Sequence, residues 1–565
     1  MNREFRIEKQ YLNFPVRQGT TASLIHLIID GKLLREFEIS LAKTEPDFWV
    51  FLDVTEFMGK KIILQIKEEN DAFDKIYQAD TFPGEENLYK EQLRPEFHFS
   101  TRRGWVNDPN GLVYYDGEYH LFYQHNPYGW DTSTNDVNKT WGHAISTDLI
   151  HWKELRDAIH PDNLGTIYSG SAVIDKLNTA GFQTGDEKIL VCIYTSAGGR
   201  NPWSKDQPFT QSIAYSNDKG RSFTKYSGNP VQDNIRPLNR DPKVFWHEPT
   251  NQWVIILYLE NDVMGFFTSK DLKSWQLQSE FSEKVRKRLH ECPELFQMTI
   301  DGNARDKKWI LYAANGRYYI GQFDGKKFKS ETEGIRLNYG NCFYASQTFN
   351  NIPEEDGRRI QIAWGVNPMP GMPFNQQMLF PVELNLKNTE EGPRIFAQPV
   401  REIKKIYSNY QNYQNQVLED DHHLILQKNG KEGLYDVSAE FEIGSAKRFG
   451  LVINDILVIY DRKEQMLYCL ERYASLKPIG GKIKFRILAD RTTLEIFAND
   501  GQIYMPIRTH INVSEISELF SSSREAFLPS TQVVTVKKGD IFAFSEGGKT
   551  KLTKLEVYEL NSIWD

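Results

Sequence analysis

Ser146-Thr147-Asp148-Leu149-Ile150-His151-Trp152 and Ser269-Lys270-Asp271-Leu272-Lys273-Ser274-Trp275 are one turn written twice, with Ser-x-Asp leading to a tryptophan at the same spacing. A third copy, Ser216-Asn217-Asp218-Lys219-Gly220-Arg221-Ser222-Phe223, is one residue longer. Each follows an apolar run, respectively GEYHLFYQ, QWVIILYL and KILVCIYT. A turn signal recurring after a strand-like run marks a repeated sheet unit. Candidate unit starts at Asp108, Gly170, Asp241, Glu294 and Ala345 lie 62, 71, 53 and 51 residues apart. Four-stranded propeller blades occupy about 40–50 residues, more with insertions. Five such units predict a five-bladed β-propeller over residues 93–395. A generic antiparallel sandwich array is the competing reading, and the repeat argues against it.

Outward from the repeat the chain stays β-rich. In residues 1–92, TASLIHLIIDGKLLREFEISLA alternates apolar and polar residues around Asp30-Gly31, a hairpin signal. WVFLDVTEF and KKIILQIKEE are further strand candidates, so this part reads as a small β-sandwich with a linker at GEENLYKEQLRPEF. Its role is open between structural support and accessory sugar binding. Residues 396–565 read as a second β-sandwich. KIKFRILADRTTLEIFANDGQ holds two strands about Asp490-Arg491, and TQVVTVKKGDIFAF and KLTKLEVYEL continue the pattern. REIKKIYSNYQNYQNQ, 401–416, is the best short helix candidate. The expected fold class is all-β.

Composition excludes several functions. The 565 residues are 25% charged and 40% hydrophobic, ordinary globular usage. Formal net charge is −8, which disfavours nonspecific binding to nucleic acid or an anionic membrane. No apolar run approaches the roughly 20 residues of a membrane span. Aromatics reach 13%, which suits β structure and sugar-stacking surfaces. Cys192, Cys292, Cys342 and Cys469 are widely spaced and read as separate reduced thiols. The N-terminus as written has no apolar signal core, so the expectation is a cytoplasmic protein, or an exported one whose signal is missing from the sequence.

Three acidic positions stand out. Trp105-Val106-Asn107-Asp108-Pro109-Asn110-Gly111 sets a carboxylate at the first strand of a blade. Pro109 biases Asp108 towards extended geometry, and Asn110-Gly111 supplies a turn. Taken alone, such a segment reads as a capped hairpin turn. Asn239-Arg240-Asp241-Pro242 repeats the Asp-Pro device, and an arginine there would hold the aspartate ionised. His290-Glu291-Cys292-Pro293-Glu294 offers two acids, and spacing does not say which faces a site. Carboxylates from three blades suit glycosidic cleavage, which needs one group at the anomeric carbon and one proton donor. There is no phosphate-binding loop, no zinc-ligand spacing and no nucleophile elbow.

At these residues the chain resembles glycoside hydrolase family 32, the β-fructofuranosidases that include invertases, inulinases and levanases. The motifs are WVNDPNG at 105–111, YQHNP at 123–127, WGHAISTDLIHW at 141–152, YSGSAV at 168–173, RDP at 240–242, ECPELF at 291–296 and EIFANDG at 495–501. The resemblance implies a five-bladed propeller followed by a β-sandwich. The first 92 residues look like an accessory β-domain of some bacterial members. It implies a retaining mechanism with Asp108 as nucleophile, Glu291 as acid/base and Asp241 as transition-state stabiliser, leaving Glu294 structural. Asn107, Gln124, Ser169, Arg240, Tyr344 and Trp364 would contact fructose. No metal and no organic cofactor is implied; the partner is a fructan or fructo-oligosaccharide.

Three departures bear on the pocket. WVNDPNG replaces the commoner WMNDPNG. The family's Trp-Gly-Asn before WGHA is Asp136-Val137-Asn138, after a longer loop from Trp130 to Asn135, and Trp130 is the candidate to replace the missing wall. The aspartate of an Asp-Tyr-Gly motif is Asn338. The leading expectation is exo-acting release of fructose from levan, inulin or sucrose-type ends. The alternatives are a fructosyltransferase or endo-acting fructanase of the same fold, then a non-catalytic fructan-binding protein. A sialidase-like propeller has the Asp-box but lacks a placeable arginine triad.

Overall fold

The computed structural model describes residues 1–564 apart from 131–134, 284–288, 421–422, 428–432 and 510–538. Five blades of four principal strands form the propeller, the last two joined into one continuous sheet. Their innermost strands are Gly104–Tyr115, Thr166–Asp175, Arg240–His247, Glu294–Ile300 and Phe343–Thr348. All five candidate blade starts fall on these strands. The Ser-x-Asp turns join the third and fourth strands of the first three blades. In each the aspartate caps the turn. Asp148 accepts from the amides of Ile150 and His151, Asp218 from those of Arg221 and Ser222, and Asp271 from those of Lys273 and Ser274. Trp152 and Trp275 then donate their indole N–H to the carbonyls of Leu149 and Leu272. The repeat is thus a local device for reversing the chain at the blade rim.

The strand Ile189–Ala197 is buried along its whole length, because sheets cover both of its faces. Polar bonds stitch the inner strands together across the axis. Ser171 Oγ donates to the Pro242 carbonyl, Val244 N–H to Ser171 Oγ, and Gln347 Nε2 to the Gly170 carbonyl.

The first 79 residues hold a four-stranded and a three-stranded sheet. Asp30 and Gly31, both at positive φ, turn the hairpin between Ser23–Ile29 and Lys32–Ile39. The stretch 84–97 is more than a linker. Arg94 is fully buried, stacks 3.4 Å over Phe374, and bonds Glu91, Ser100 and the Thr101 carbonyl. Two six-stranded sheets form the C-terminal part. The expected helix at 401–416 is corrected: Arg401–Ile406 is a 3-10 turn and Tyr407–Leu418 a strand. Pairing of that strand with Thr550–Leu560 overrides its weak helical pattern. Of TQVVTVKKGDIFAF, residues 531–538 lie outside the described residues, and Ile541–Glu546 is a strand.

The C-terminal sheets pack directly on the propeller, and Asn338 sits in that seam. Its Oδ1 accepts from the Gly340 amide, and it bridges to Tyr504. A Cβ on Gly340 would lie 1.8 Å from the Pro506 carbonyl oxygen, so only glycine admits this approach. No described helix is long and apolar enough to cross a membrane.

Candidate active site

Four of the five inner strands carry a two-on-one irregularity at the axis. It falls at Asn107-Asp108, Tyr168-Ser169, Asp241-Pro242 and Ala345-Ser346. In the remaining segment, that of the fourth blade, Cys292 has φ 49° just ahead of Glu294–Ile300. A bulge breaks the alternation of a strand and re-aims a side chain. Proline favours such a position because it has no N–H to give the ladder. That is the physical content of the repeated Asp-Pro. Asp241 itself adopts φ 62°, a strained choice for a non-glycine residue that clusters at functional sites.

The bulges bring the candidate residues together. Ser169 Oγ donates to Asp108 Oδ2 at 2.7 Å, and Asn107 Nδ2 to Oδ1 at 3.1 Å. Gln124 lies across the ladder from the Asn107-Asp108 bulge, between the partners of Val106 and Pro109. Arg240 holds Glu291 Oε2 from Nε at 2.8 Å and from a terminal nitrogen at 2.5 Å. Tyr344 donates to Glu291 Oε1 at 3.0 Å, with His290 Nδ1 3.3 Å from the same hydroxyl. Trp364 meets the Tyr344 ring edge-on at 6.3 Å. Glu294 points elsewhere. It is buried, its carboxylate 2.6 Å from Lys243 Nζ and accepting from the amide and hydroxyl of Thr348.

Sequence reasoning passed over Cys292 as a bland thiol. Its amide donates to Asp241 Oδ2 at 3.1 Å, and its sulfur sits 3.5 Å from Asp241 and 3.8 Å from Asp108. It is the spacer between two acids, and burial beside them pushes its thiol well above the usual range. Lys139 was also missed. It contributes the attraction that opposes the rise at Asp108 and lies 4.5 Å over the Tyr168 ring. No motif pointed to it, because it follows the altered loop.

Electrostatics correct one expectation. Arg240 was to keep Asp241 ionised; instead burial pushes the Asp241 carboxyl up to about 7, against the pull of Arg240. Glu291 takes the guanidinium bonds, while the Arg240 Nε stands 3.7 Å from Asp241. Burial also raises Asp108, opposed by Lys139 and Ser169 and reinforced by the charge of Glu291. Three acids therefore crowd around one directly bonded arginine.

Several buried polar atoms here have no protein partner: both amide atoms of Gln124, Asn107 Oδ1 and Trp105 Nε1. Unsatisfied buried groups are costly and cluster where a ligand completes them. Hydroxyls could satisfy each, being donors and acceptors at once. Trp130 is held by two bonds: its indole donates to the Met369 carbonyl, and Asn375 donates to the Trp130 carbonyl. The loop residues 131–134 that follow it lie outside the described residues. Among the described residues no cluster of His, Cys, Asp or Glu is placed to hold a metal ion.

A five-bladed propeller with converging carboxylates, followed by a β-sandwich, defines a glycosidase scaffold. The glycosyl hydrolases family 32 N-terminal domain matches residues 98–399, and the family's C-terminal domain matches 402–559. The chain belongs to glycosyl hydrolase family 32. It is 38% identical to a levanase of Bacillus subtilis over 508 residues, 82% of this chain and 73% of that one. It is 33% identical to an extracellular exo-inulinase of Meyerozyma guilliermondii over 388 residues, 63% of this chain and 72% of that one. The solved exo-inulinase of Aspergillus awamori superposes with a TM-score of 0.73 at 26% identity, covering 84% of this chain and all of that one. Residues 1–97 fall outside both family matches.

Proposed function

We propose that the protein is a retaining β-fructofuranosidase that releases fructose from the ends of fructans and sucrose-type sugars. The observation that carries this is the convergence of Asp108, Asp241 and Glu291 through Arg240 and Cys292. In this reading an Asp108 oxygen attacks C2 of the fructosyl unit while Glu291 gives its proton to the leaving oxygen. The C2–O bond breaks and an acyl-linked fructosyl enzyme forms. Glu291, now a carboxylate, takes a proton from water; that oxygen attacks C2 and frees Asp108. Asp241 accepts hydrogen bonds from fructose hydroxyls, with Asn107, Gln124, Ser169, Arg240, Tyr344 and Trp364 lining the ring. The corresponding division of the chain is 1–92, 93–395 and 396–565.

The levanase and exo-inulinase relatives support a fructan substrate and exo action. The test is a product time course from levan, inulin and sucrose. Fructose alone from the first points is the expected result, and its relative rates rank the substrates. Early oligosaccharides overturn exo hydrolysis in favour of endo cleavage or transfer. Glu291→Gln adds a second check. It should slow natural fructosides about 10²–10⁴-fold and activated fructosides much less, because a good leaving group needs little proton.

A further inference from the structure

A cleft of about 420 Å³ lies outside the propeller axis, between the N-terminal sheets and the outer strands of the first two blades. Its volume is that of a small-molecule site, and junctions between folded units are favoured places for one. The catalytic acids stand on inner strands, so this is a separate space. Its walls are polar, and most of their charges are already paired. Arg35 pairs with Glu56, Arg102 with Glu154 and Lys225 with Asp162. A neutral polyhydroxyl ligand can enter without breaking any of these pairs.

The half-buried Trp203 also lines the cleft, its turn fixed by a bond from its amide to Glu36 of the N-terminal sheets. Paired charges and an indole are the wall chemistry of a sugar site, because a pyranose or furanose offers hydroxyls at its edge and C–H groups at its face. We propose that this cleft is a second saccharide site, taking a short segment of neutral fructan chain, and that holding one wall of it is a function of the N-terminal sheets. The choice of fructan rests on the fructofuranosidase reading.

The test uses the full chain carrying Asp108→Asn, titrated calorimetrically with a β-2,6-linked fructose tetrasaccharide. Saturation at two molar equivalents is expected, falling to one when Trp203→Ala is added. One equivalent in the Asp108→Asn protein, or two that survive Trp203→Ala, overturns the proposal. Should Trp203→Ala fail to fold, crystals of the Asp108→Asn protein soaked in the same sugar decide. Sugar density between Trp203 and Arg35 supports the site, and water alone there removes it. The two readings fail separately. Wild-type protein that cleaves no fructoside but keeps the Trp203-dependent equivalent loses its catalytic reading and retains the cleft. Cleavage with a single equivalent removes only the cleft.

Discussion

Two buried acid clusters in this molecule have opposite electrostatics. At the propeller axis, Asp108 and Asp241 are pushed up by burial and by the charge of Glu291, with Arg240 bonded to Glu291. In the seam between propeller and C-terminal sheets, Asp490 and Glu495 flank His98, whose ring nitrogens lie 2.7 and 2.6 Å from them, and all three side chains are fully buried. There the carboxylates prevail over desolvation and hold His98 up at about 9, while Asp490 is held below its ordinary range. Asp490 also accepts from the amides of Glu96, Phe97 and Arg491, and Glu495 from the Phe380 amide and the Tyr504 hydroxyl. The difference lies in saturation. In the seam cluster each carboxylate oxygen and both ring nitrogens have a partner, and it works as a fastener. The axial cluster has partners missing and charge in excess, which is what a site awaiting a substrate requires.

The largest break in this contrast is chemical. Asp108→Asn should lower kcat by about 10⁴-fold or more on every fructoside, because in the proposed mechanism no other group forms the covalent intermediate. Sugar binding should persist. Activity retained within ten-fold would remove Asp108 as nucleophile. The pH profile carries the same logic. In the proposed mechanism Asp108 reacts as a carboxylate, and its carboxyl is raised by burial, so the acidic limb of kcat/KM should lie above the ordinary aspartate range.

His98→Ala should come next, unfolding the protein about 3–5 kcal/mol more easily by leaving Asp490 and Glu495 buried without their cation. Denaturant unfolding measures this. Turnover per folded molecule should stay close to wild type, since none of the hydrogen bonds of His98 reaches the axial acids. The sign with pH follows from the raised folded-state value. The His98 contribution is complete below the unfolded histidine value near 6.5 and is lost as pH rises through about 9. Asp490 works the other way, its contribution fading as pH falls through its lowered value. A seam that weakened towards neutral pH from the acid side alone would contradict the imidazolium assignment.

Much of the axial cluster was legible because catalysis needs particular residue types next to one another. Asp108-Pro109 and Asp241-Pro242 advertise bulges, and the Ser-x-Asp turns announce blade rims. Glu291 and Glu294, three residues apart, were separable only through the family resemblance. In space Glu294 is neutralised by Lys243, on the neighbouring blade's inner strand. The seam was illegible. His98 and Asp490 are 392 residues apart, and nothing local to either says that it will be buried. The same holds for Arg94, which reads as part of a linker yet ends fully enclosed over Phe374. Periodicity reports which face of an element is covered, not what covers it.

Asp241→Asn probes the cost of the unsaturated cluster. A carboxyl raised to about 7 in the folded chain and near 3.8 unfolded loses stability as pH rises from about 4 to 7. The amide keeps the shape and removes that loss. At pH 8 the variant should be more stable by about 1–2 kcal/mol while losing activity, the usual exchange at a catalytic site. At pH 4 the gain should vanish. A gain that did not depend on pH would point to packing rather than charge.

The smallest effect is expected where sequence departs from family pattern inside the seam. Asn338 is buried, and its one side-chain bond that fixes the turn is acceptance from the Gly340 amide by Oδ1. An aspartate offers the same acceptor oxygen at the same place, and the neighbouring Arg336 bonds the backbone carbonyl of 338 rather than its side chain. Asn338→Asp should therefore change unfolding free energy by under about 1 kcal/mol near neutral pH, the charge being half compensated by its amide donor and by the nearby guanidinium. The effect should shrink below pH 4, where the new carboxyl takes up a proton and is neutral like the amide it replaces. A loss as large as that of His98→Ala would mean that the seam near Gly340 and Pro506 is as intolerant of added charge as the axis is rich in it, and that asparagine here is what keeps the two clusters electrostatically apart.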